Sequence, residues 1–315
     1  MPDLQVLEST EQPSQLEQLA EDYLAHCRAK GLSPKTVRDS YGYAIKSMFL
    51  PWAAQEGLSE PSQLNSRVLD RFSTHLLEHG GKRGPLSRHS VASFVESVNW
   101  WLRWLDAEGE LKKPAKAAVP KRPTRVIDVL SRDEIQAMED AAKNERDKLI
   151  VRILADTGLR ANELLTLRVN DIVEVERNHY LRVKGKGNKE RLVPVPRLYR
   201  RIERYTQRAR PTETISERLF LASRRSTRTG EYEPLTKSGL EQMVRNLAEV
   251  AGIKKRVYPH LLRHSYATWA LNRGMNPIML AQLLGHSSLV MIQRTYAHHT
   301  AADTYELLAK LLGAE

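Results

Sequence analysis

The sequence predicts a mainly α-helical protein with a small β-sheet, divided between an N-terminal helical bundle and a larger α+β domain. Three observations carry this. Apolar residues recur at helical spacing in four stretches between Ser14 and Gly109. Ser131-Arg132-Asp133-Glu134 then has the form of a capping box opening a second set of helices. Two runs suited to strands, Tyr180-Leu181-Arg182-Val183 and Arg191-Leu192-Val193-Pro194-Val195, flank the glycine-bearing turn Lys184-Gly185-Lys186-Gly187-Asn188-Lys189-Glu190, the signature of a hairpin. A chain of 315 residues is long enough to build two cores. The expected division is a helical domain over 14–109, a linker over 110–127 and a second domain over 128–315.

Leu16, Leu19, Ala20, Tyr23, Leu24 and Cys27 share one stripe of a first helix, Ser14 to Ala29, stopped by Gly31. Ser33-Pro34 supplies an N-cap and a first-turn proline for a second helix through Val37, Tyr41, Ala44, Met48 and Phe49, which Pro51 is expected to end or kink. A third centres on Val68, Leu69, Phe72, Leu76 and Leu77 and stops at Gly80-Gly81. A fourth runs from Ser87 through Val91, Phe94, Val95, Val98, Leu102 and Leu105 to Gly109. Trp100 and Trp104 can share a face of this helix, whereas Trp101 points elsewhere; packing within the core or between domains is expected for most of them.

The chain carries a net charge of +11, unevenly placed. Residues 1–110 hold 11 Lys/Arg against 15 Asp/Glu, net −4, so residues 111–315 hold 38 against 23, net +15. A polyanionic partner for the second part is the physical implication. Residues 110–127 contain Lys112, Lys113, Lys116, Lys121, Arg122 and Arg125 with three prolines and little to bury, and read as an extended linker able to track DNA. The acidic, polar start lacks a signal-peptide pattern, and no run approaches the roughly eighteen apolar residues of a membrane span. Cys27 alone excludes an internal disulfide and a thiolate metal cluster; its register marks it as core. A soluble, intracellular protein with no membrane partner is expected.

In the second domain, one helix passes through Ile135 and Met138, and another around Leu149 to Leu154 ends at Gly158. Arg197, Arg200, Arg201, Arg204, Arg208 and Arg210 cover more than one face of a helix after the hairpin. Such a run is ordinarily a solvated face, but beside a phosphate-handling site some of it, with Arg191, is expected on DNA backbone. Ser216 to Glu233 reads as a loop with an apolar patch at Leu219-Phe220-Leu221, and Leu235 to Val250 as a helix. A helix containing His260, Arg263, Leu261, Leu262 and Tyr266 follows, then one from Asn276-Pro277 that stops at Gly285 and delivers His286. A short helix from Ser288 would carry Tyr296, and Asp303 to Leu312 forms an apolar tail helix.

The chemistry concentrates in four places. Thr157-Gly158-Leu159-Arg160 leads to Glu163-Leu164; His260-Leu261-Leu262-Arg263-His264 puts His260 and Arg263 on one side of a helix; Leu284-Gly285-His286 and Thr295-Tyr296 follow. Two guanidiniums that cannot lose charge, beside donor imidazoles, suit a phosphate whose negative charge grows during displacement. Glu163, three residues after Arg160, can fix that guanidinium by a charge-assisted hydrogen bond or form a plain surface ion pair. His260 and His264 have the spacing of a metal pair, but the glutamate of His-Glu-x-x-His and a third ligand are missing, so phosphate binding is favoured over a metal.

In this order and spacing the four motifs resemble the tyrosine recombinase (phage integrase) family, and Gly185-Lys186-Gly187-Asn188-Lys189-Glu190-Arg191 resembles it too. The resemblance implies a core-binding N-terminal bundle of the SAM-like type that closes over DNA opposite an α+β catalytic domain. It implies that Arg160, Arg263 and His286 hold the nonbridging phosphate oxygens, His260 assists the phenolic proton, Lys186 protonates the leaving 5′ oxygen and Tyr296 is the nucleophile. Lys184 and Lys189 then become phosphate contacts. No cofactor is implied, neither ATP nor metal, because a 3′-phosphotyrosine stores the bond energy. The implied partners are double-stranded DNA with inverted-repeat core sites and further copies of the chain, as a tetramer on two paired sites in a prokaryotic cytoplasm. The tail would pack into a neighbouring protomer or fold back on its own domain. With little chain before Ser14 for an arm-binding domain, the Xer-like and small mobile-element members are the nearer likeness. Two alternatives share the scaffold: a non-catalytic DNA-binding regulator, and a type IB topoisomerase-like nicking-closing enzyme.

Overall fold

The computed structural model describes residues 13–80, 84–123, 128–185 and 189–285. The chain divides into two compact units between Val126 and Ile127.

In the first unit, α1 (Gln15–Ala29) opens on a capping box in which Ser14 and Glu17 satisfy each other's backbone N–H groups. Ser33 caps α2 (Pro34–Thr36), which runs directly into a stretch of wide π-type turns, Val37–Phe49, and on into α3 (Leu50–Gln55). Pro51 therefore does not end the rod. It falls in the first turn of α3, just where Leu50 N–H reaches back five residues to Ile45 O; the regular ladder is already interrupted there, so a missing N–H does less harm. Asn65 caps α4 (Ser66–Glu78) and Ser87 caps α5 (Arg88–Ala107). Phe49 sits at the centre of the core, edge-on to Phe72 at 5.1 Å and to Trp101 at 5.5 Å between ring centroids. Trp101 is thus the fully buried member of its trio, while Trp100 lies half in solvent beneath the Arg103 guanidinium.

The expected linker departs from the sequence reading over its first half. Leu111 and Ala117 belong to the core of the first unit. Asn99 clasps Ala117 from both sides, its Nδ2 donating to the carbonyl at 2.9 Å and its Oδ1 accepting from the N–H at 2.8 Å. Ser73 Oγ donates to Ala118 O, and Asp70 Oδ1 accepts from Ala118 N. A segment poor in apolar side chains is held here by helix side chains that stand in for a sheet partner, an arrangement composition does not reveal. Arg122 likewise folds back, both Nη atoms on Glu96 at 2.8 and 2.6 Å; Lys112, Lys113 and Lys121 are exposed.

In the second unit, the Ser131 capping box opens α6 (Arg132–Ala141), and α7 (Glu145–Thr157) runs from Asn144 to Gly158. Leu149, Ile150, Val151, Ile153 and Leu154 are all buried, so α7 is wrapped on several sides. The short α8 (Ala161–Thr166) leads to an antiparallel meander of β1 (Ile172–Val175), β2 (Asn178–Lys184) and β3 (Glu190–Pro194), with Ile172 opposite Leu181 and Lys184 opposite Glu190. β1 is absent from the sequence reading. Its turn to β2 is Glu176-Arg177, at φ 49° and 63°, left-handed positions that glycine or asparagine usually announces.

The arginine run forms α9 (Tyr199–Arg204) and a further π-type turn, Tyr205–Ala209, with Ile202 and Tyr205 inward. Arg201 pairs with Glu139 and Arg210 donates to the carbonyls of Ser216 and Arg218, while Arg200 and Arg204 are exposed. Leu219, Phe220 and Leu221 are buried, followed by α10 (Lys237–Val250), α11 (Pro259–Asn272) and α12 (Pro277–Leu284). Leu280, Ala281 and Leu284 seat α12 on Tyr266, Ala267 and Ala270 of α11.

Replacing Asn99 by alanine leaves two backbone groups of Ala117 without partners, so a loss of about 1–3 kcal/mol is expected. Chemical denaturation with hydrogen exchange on the whole chain should show faster exchange at Ala117 and a lower midpoint for the first unit; unchanged exchange there would show that the clasp contributes nothing.

Candidate active site

The Thr-Gly-Leu-Arg turn is legible atom by atom. Thr157 Oγ1 donates back to Ile153 O and accepts from Leu159 N–H, closing the end of α7. Gly158 adopts φ +62°, and a Cβ there would lie 2.6 Å from side-chain atoms of both Tyr266 and Leu284, so conformation and space both demand glycine. Leu159 is fully buried and anchors the turn. Arg160 is thereby set at the N-cap of α8, and Gly158 O is turned toward Arg263 Nη1, 2.6 Å away.

Glu163 is the hub. Its carboxylate, 4% exposed, accepts from Arg160 N and Arg160 Nη1, each at 2.8 Å, and from Arg191 Nη1 and Nη2, each at 2.9 Å. Arg263 Nη1 lies 4.0 Å from it. Burial works to raise the Glu163 pKa, but the hydrogen bonds from Arg191 and Arg160 together outweigh it and hold the carboxyl below its usual range.

The C-terminal end of α12 completes the arrangement. Arg191 Nε donates to Leu283 O at 2.8 Å, Arg263 Nη2 to Leu284 O at 2.7 Å and Arg160 Nη2 to Gly285 O at 2.9 Å. Three guanidiniums thus meet three successive carbonyls at the negative end of a helix. Gly285 is at φ +64°, and a Cβ there would be 3.0 Å from Arg191 Nη1 and 3.4 Å from Arg160 Nη1. The close approach requires glycine.

His260 stands in the first turn of α11 and is open to solvent. Partial desolvation and then the charges of Arg263 and Arg160 lower its pKa, which favours the neutral imidazole. His264, half-buried one turn on, is lowered by desolvation and by His260 and Arg263. Among the sequence-derived site residues, Arg160, Glu163 and Arg263 come together, with His260 beside them. Lys184 pairs with Glu190 at 3.4 Å, and Lys189 is exposed. A Cβ on Gly185 would lie 3.7 Å from Arg191 Nη1 and 3.9 Å from Glu163 Oε1, so the chain leaves β2 beside the hub. Lys186, His286 and Tyr296, along with the Ser288 and Asp303 helices, lie outside the described residues.

Arg191 corrects the sequence reading. Expected on DNA backbone, it is only 15% exposed and spends its donors on Glu163 and Leu283. Strand periodicity carried the signal: Arg191, Val193 and Val195 share one face, and both valines are buried.

Residues 128–303 match the phage integrase family. The tyrosine recombinase XerC 2 of Ralstonia nicotianae is 32% identical over 253 residues, spanning 76% of this chain and 71% of that protein. The tyrosine recombinase XerA of Thermococcus kodakarensis is 30% identical over 310 residues, 95% of this chain and 99% of its own. A crystal structure of XerA recombinase covers 94% of this chain and 98% of its own at 26% identity and a TM-score of 0.50. The Tn1549 transposon integrase in complex with circular intermediate DNA shares the fold at a TM-score of 0.69 and 18% identity, covering 92% of this chain and 98% of its own. The clustered arginines and glutamate thus stand in a chain that belongs to the phage integrase family, as a tyrosine recombinase of the Xer type.

Proposed function

We propose that this chain is a site-specific DNA recombinase that cleaves and rejoins strands of double-stranded DNA through a 3′-phosphotyrosine on Tyr296. The observation that carries the reading is the pairing of Arg160 and Arg263 around Glu163, two fixed cations converging where a phosphodiester can sit. The phenolic oxygen of Tyr296 attacks phosphorus and its proton passes toward His260. The bond to the 5′ oxygen breaks, and that oxygen takes a proton from Lys186. Arg160, Arg263 and His286 hold the nonbridging oxygens as charge grows on them. Reversal by the 5′ hydroxyl of a second strand regenerates the phenol and joins new partners. Phosphate number and bond type are conserved throughout, so the cycle calls for neither ATP nor metal.

Lys112, Lys113, Lys121, Lys184, Lys189, Arg200 and Arg204 are exposed cations that fit DNA backbone contacts, with the first unit, residues 14–109 and the adjoining 110–118, as the core-binding domain. A tetramer of the chain on two paired inverted-repeat sites, working in the cytoplasm, completes the reading. No helix of the described residues is long and apolar enough to cross a membrane.

Tyr296→Phe should abolish covalent attachment to a nicked suicide duplex and leave DNA binding unchanged; an adduct that persists identifies another nucleophile. Joining of strands between two different duplexes by the unaltered chain separates recombination from nicking-closing activity, and no adduct at all points to a regulator.

Lys186→Ala should slow cleavage by about 10²–10⁴ and recover near-normal cleavage when sulfur replaces the bridging 5′ oxygen, because a thiolate leaves unprotonated. Rescue of Lys184→Ala or Lys189→Ala instead would move the general acid to that residue.

His260 has a lowered pKa, so its neutral form persists below the ordinary value of about 6.5. Cleavage at sub-saturating DNA, where the rate reports the free protein, should therefore hold as pH falls through 6.5 and decline only below it. His260→Ala should remove that acid limb; a limb that stays in the variant belongs to a different group.

A further inference from the structure

We infer that Arg191 is a positioning residue for phosphoryl transfer, holding Glu163 and the end of α12 so that Arg160 and Arg263 face the scissile phosphate. The inference rests on the proposed role of those two arginines as phosphate ligands. Arg191 ties together three elements that each lead to a reacting group. It belongs to β3, which follows the turn containing Lys186. Its Nη pair grips both oxygens of Glu163 on α8, whose N-cap is Arg160. Its Nε holds Leu283 O at the end of α12, two carbonyls before Gly285, which accepts from Arg160 and precedes His286.

The chemistry of the side chain fits that task and no simpler one. A guanidinium offers a planar fork for a carboxylate and a further Nε donor pointing away from it; an ammonium has neither feature. At 15% exposure, with donors already directed at Glu163 and Leu283, Arg191 is turned away from any DNA backbone. Without it, Glu163 would have, among the described residues, only Arg160 at hydrogen-bonding distance, and the Arg160 guanidinium would be drawn toward the second carboxylate oxygen, away from Gly285 O and from a phosphate. The effect is on geometry at the reacting atoms, where displacement by about 1 Å is worth roughly 10²-fold in rate.

The test uses the full chain and a nicked suicide duplex that the unaltered chain has itself selected from a random-sequence pool by covalent attachment. Three quantities are read for Arg191→Lys and Arg191→Met: the single-turnover rate at saturating DNA, the half-saturating DNA concentration and the fraction of protein able to react. A positioning role predicts a rate lower by about 10²-fold, with half-saturation and reactive fraction near those of the unaltered chain. The double variant Glu163→Gln/Arg191→Met removes the buried pair together, guards against misfolding from a stranded carboxylate, and should be no slower than the slower single variant. A reactive fraction that falls while the remaining molecules cleave at the original rate makes Arg191 a fold residue and overturns the inference. Half-saturation that rises with an unchanged maximal rate makes it a DNA contact and also overturns it. Arg160→Ala is the control: if it too cleaves at the original rate, the phosphate-ligand reading fails, whereas slow Arg160→Ala beside fast Arg191→Lys refutes the positioning role alone.

Discussion

The second unit's site depends on one buried carboxylate. Glu163 is 4% exposed, and an isolated carboxylate in that position would be prohibitively costly to desolvate. Four hydrogen bonds from Arg160 and Arg191 make it tolerable, and those bonds fix where the two arginines can stand. The arrangement also works in reverse. Arg160, Arg191 and Arg263 would repel one another if brought together bare; one central anion allows three guanidiniums to share a small volume. Among the described residues, three guanidiniums thus gather at one carboxylate. Under the proposed function a phosphodiester seated beside them carries one negative charge and gains more as an oxygen attacks, so cations fixed here favour the transition state over the ground state.

The end of α12 supplies the second half of the constraint. Its last carbonyls have no intrahelical partners, and the helix dipole makes that end negative. Leu283, Leu284 and Gly285 each give a carbonyl to a different arginine, so the helix terminus acts as a ruler that spaces the three cations. This explains the glycine of Leu-Gly-His in physical terms. A side chain at position 285 would crowd the Arg191 guanidinium and would disfavour the left-handed turn that exposes the carbonyls. The glycine of Thr-Gly-Leu-Arg has the same logic at the end of α7, where Gly158 O is the fourth carbonyl of the cluster.

Much of this was legible from the chain. Ser14, Ser33, Ser87 and Ser131 mark helix starts because a hydroxyl at the N-cap satisfies a specific backbone donor, and all four do so here. The three-residue spacing of Arg160 and Glu163 forces the pair onto one side of a helix turn. What was not legible depends on contacts between distant segments. β1 hides because Glu176 and Arg177 take left-handed conformations without a glycine to announce the turn. Residues 110–118 look like a free linker because their partners, Asp70, Ser73 and Asn99, are polar side chains on helices far back in the chain. Arg191 looks like another basic surface residue until the inward face of β3 is traced through Val193; even then, the carboxylate awaiting it is 28 residues away in sequence.

The lowered pKa of His260 joins these features to the chemistry. Before DNA arrives, desolvation and the neighbouring charges of Arg263 and Arg160 favour the neutral ring and weaken its hold on a proton. A phosphodiester seated between the two arginines brings a negative charge that offsets the repulsion they exert on an imidazolium. Under the proposed function the proton affinity of His260 then rises at the point where the phenol of Tyr296, whose ordinary pKa is about 10, gives up its proton. A base of that kind spends little time charged in the free protein, where a further cation would only add to the guanidiniums gathered around Glu163.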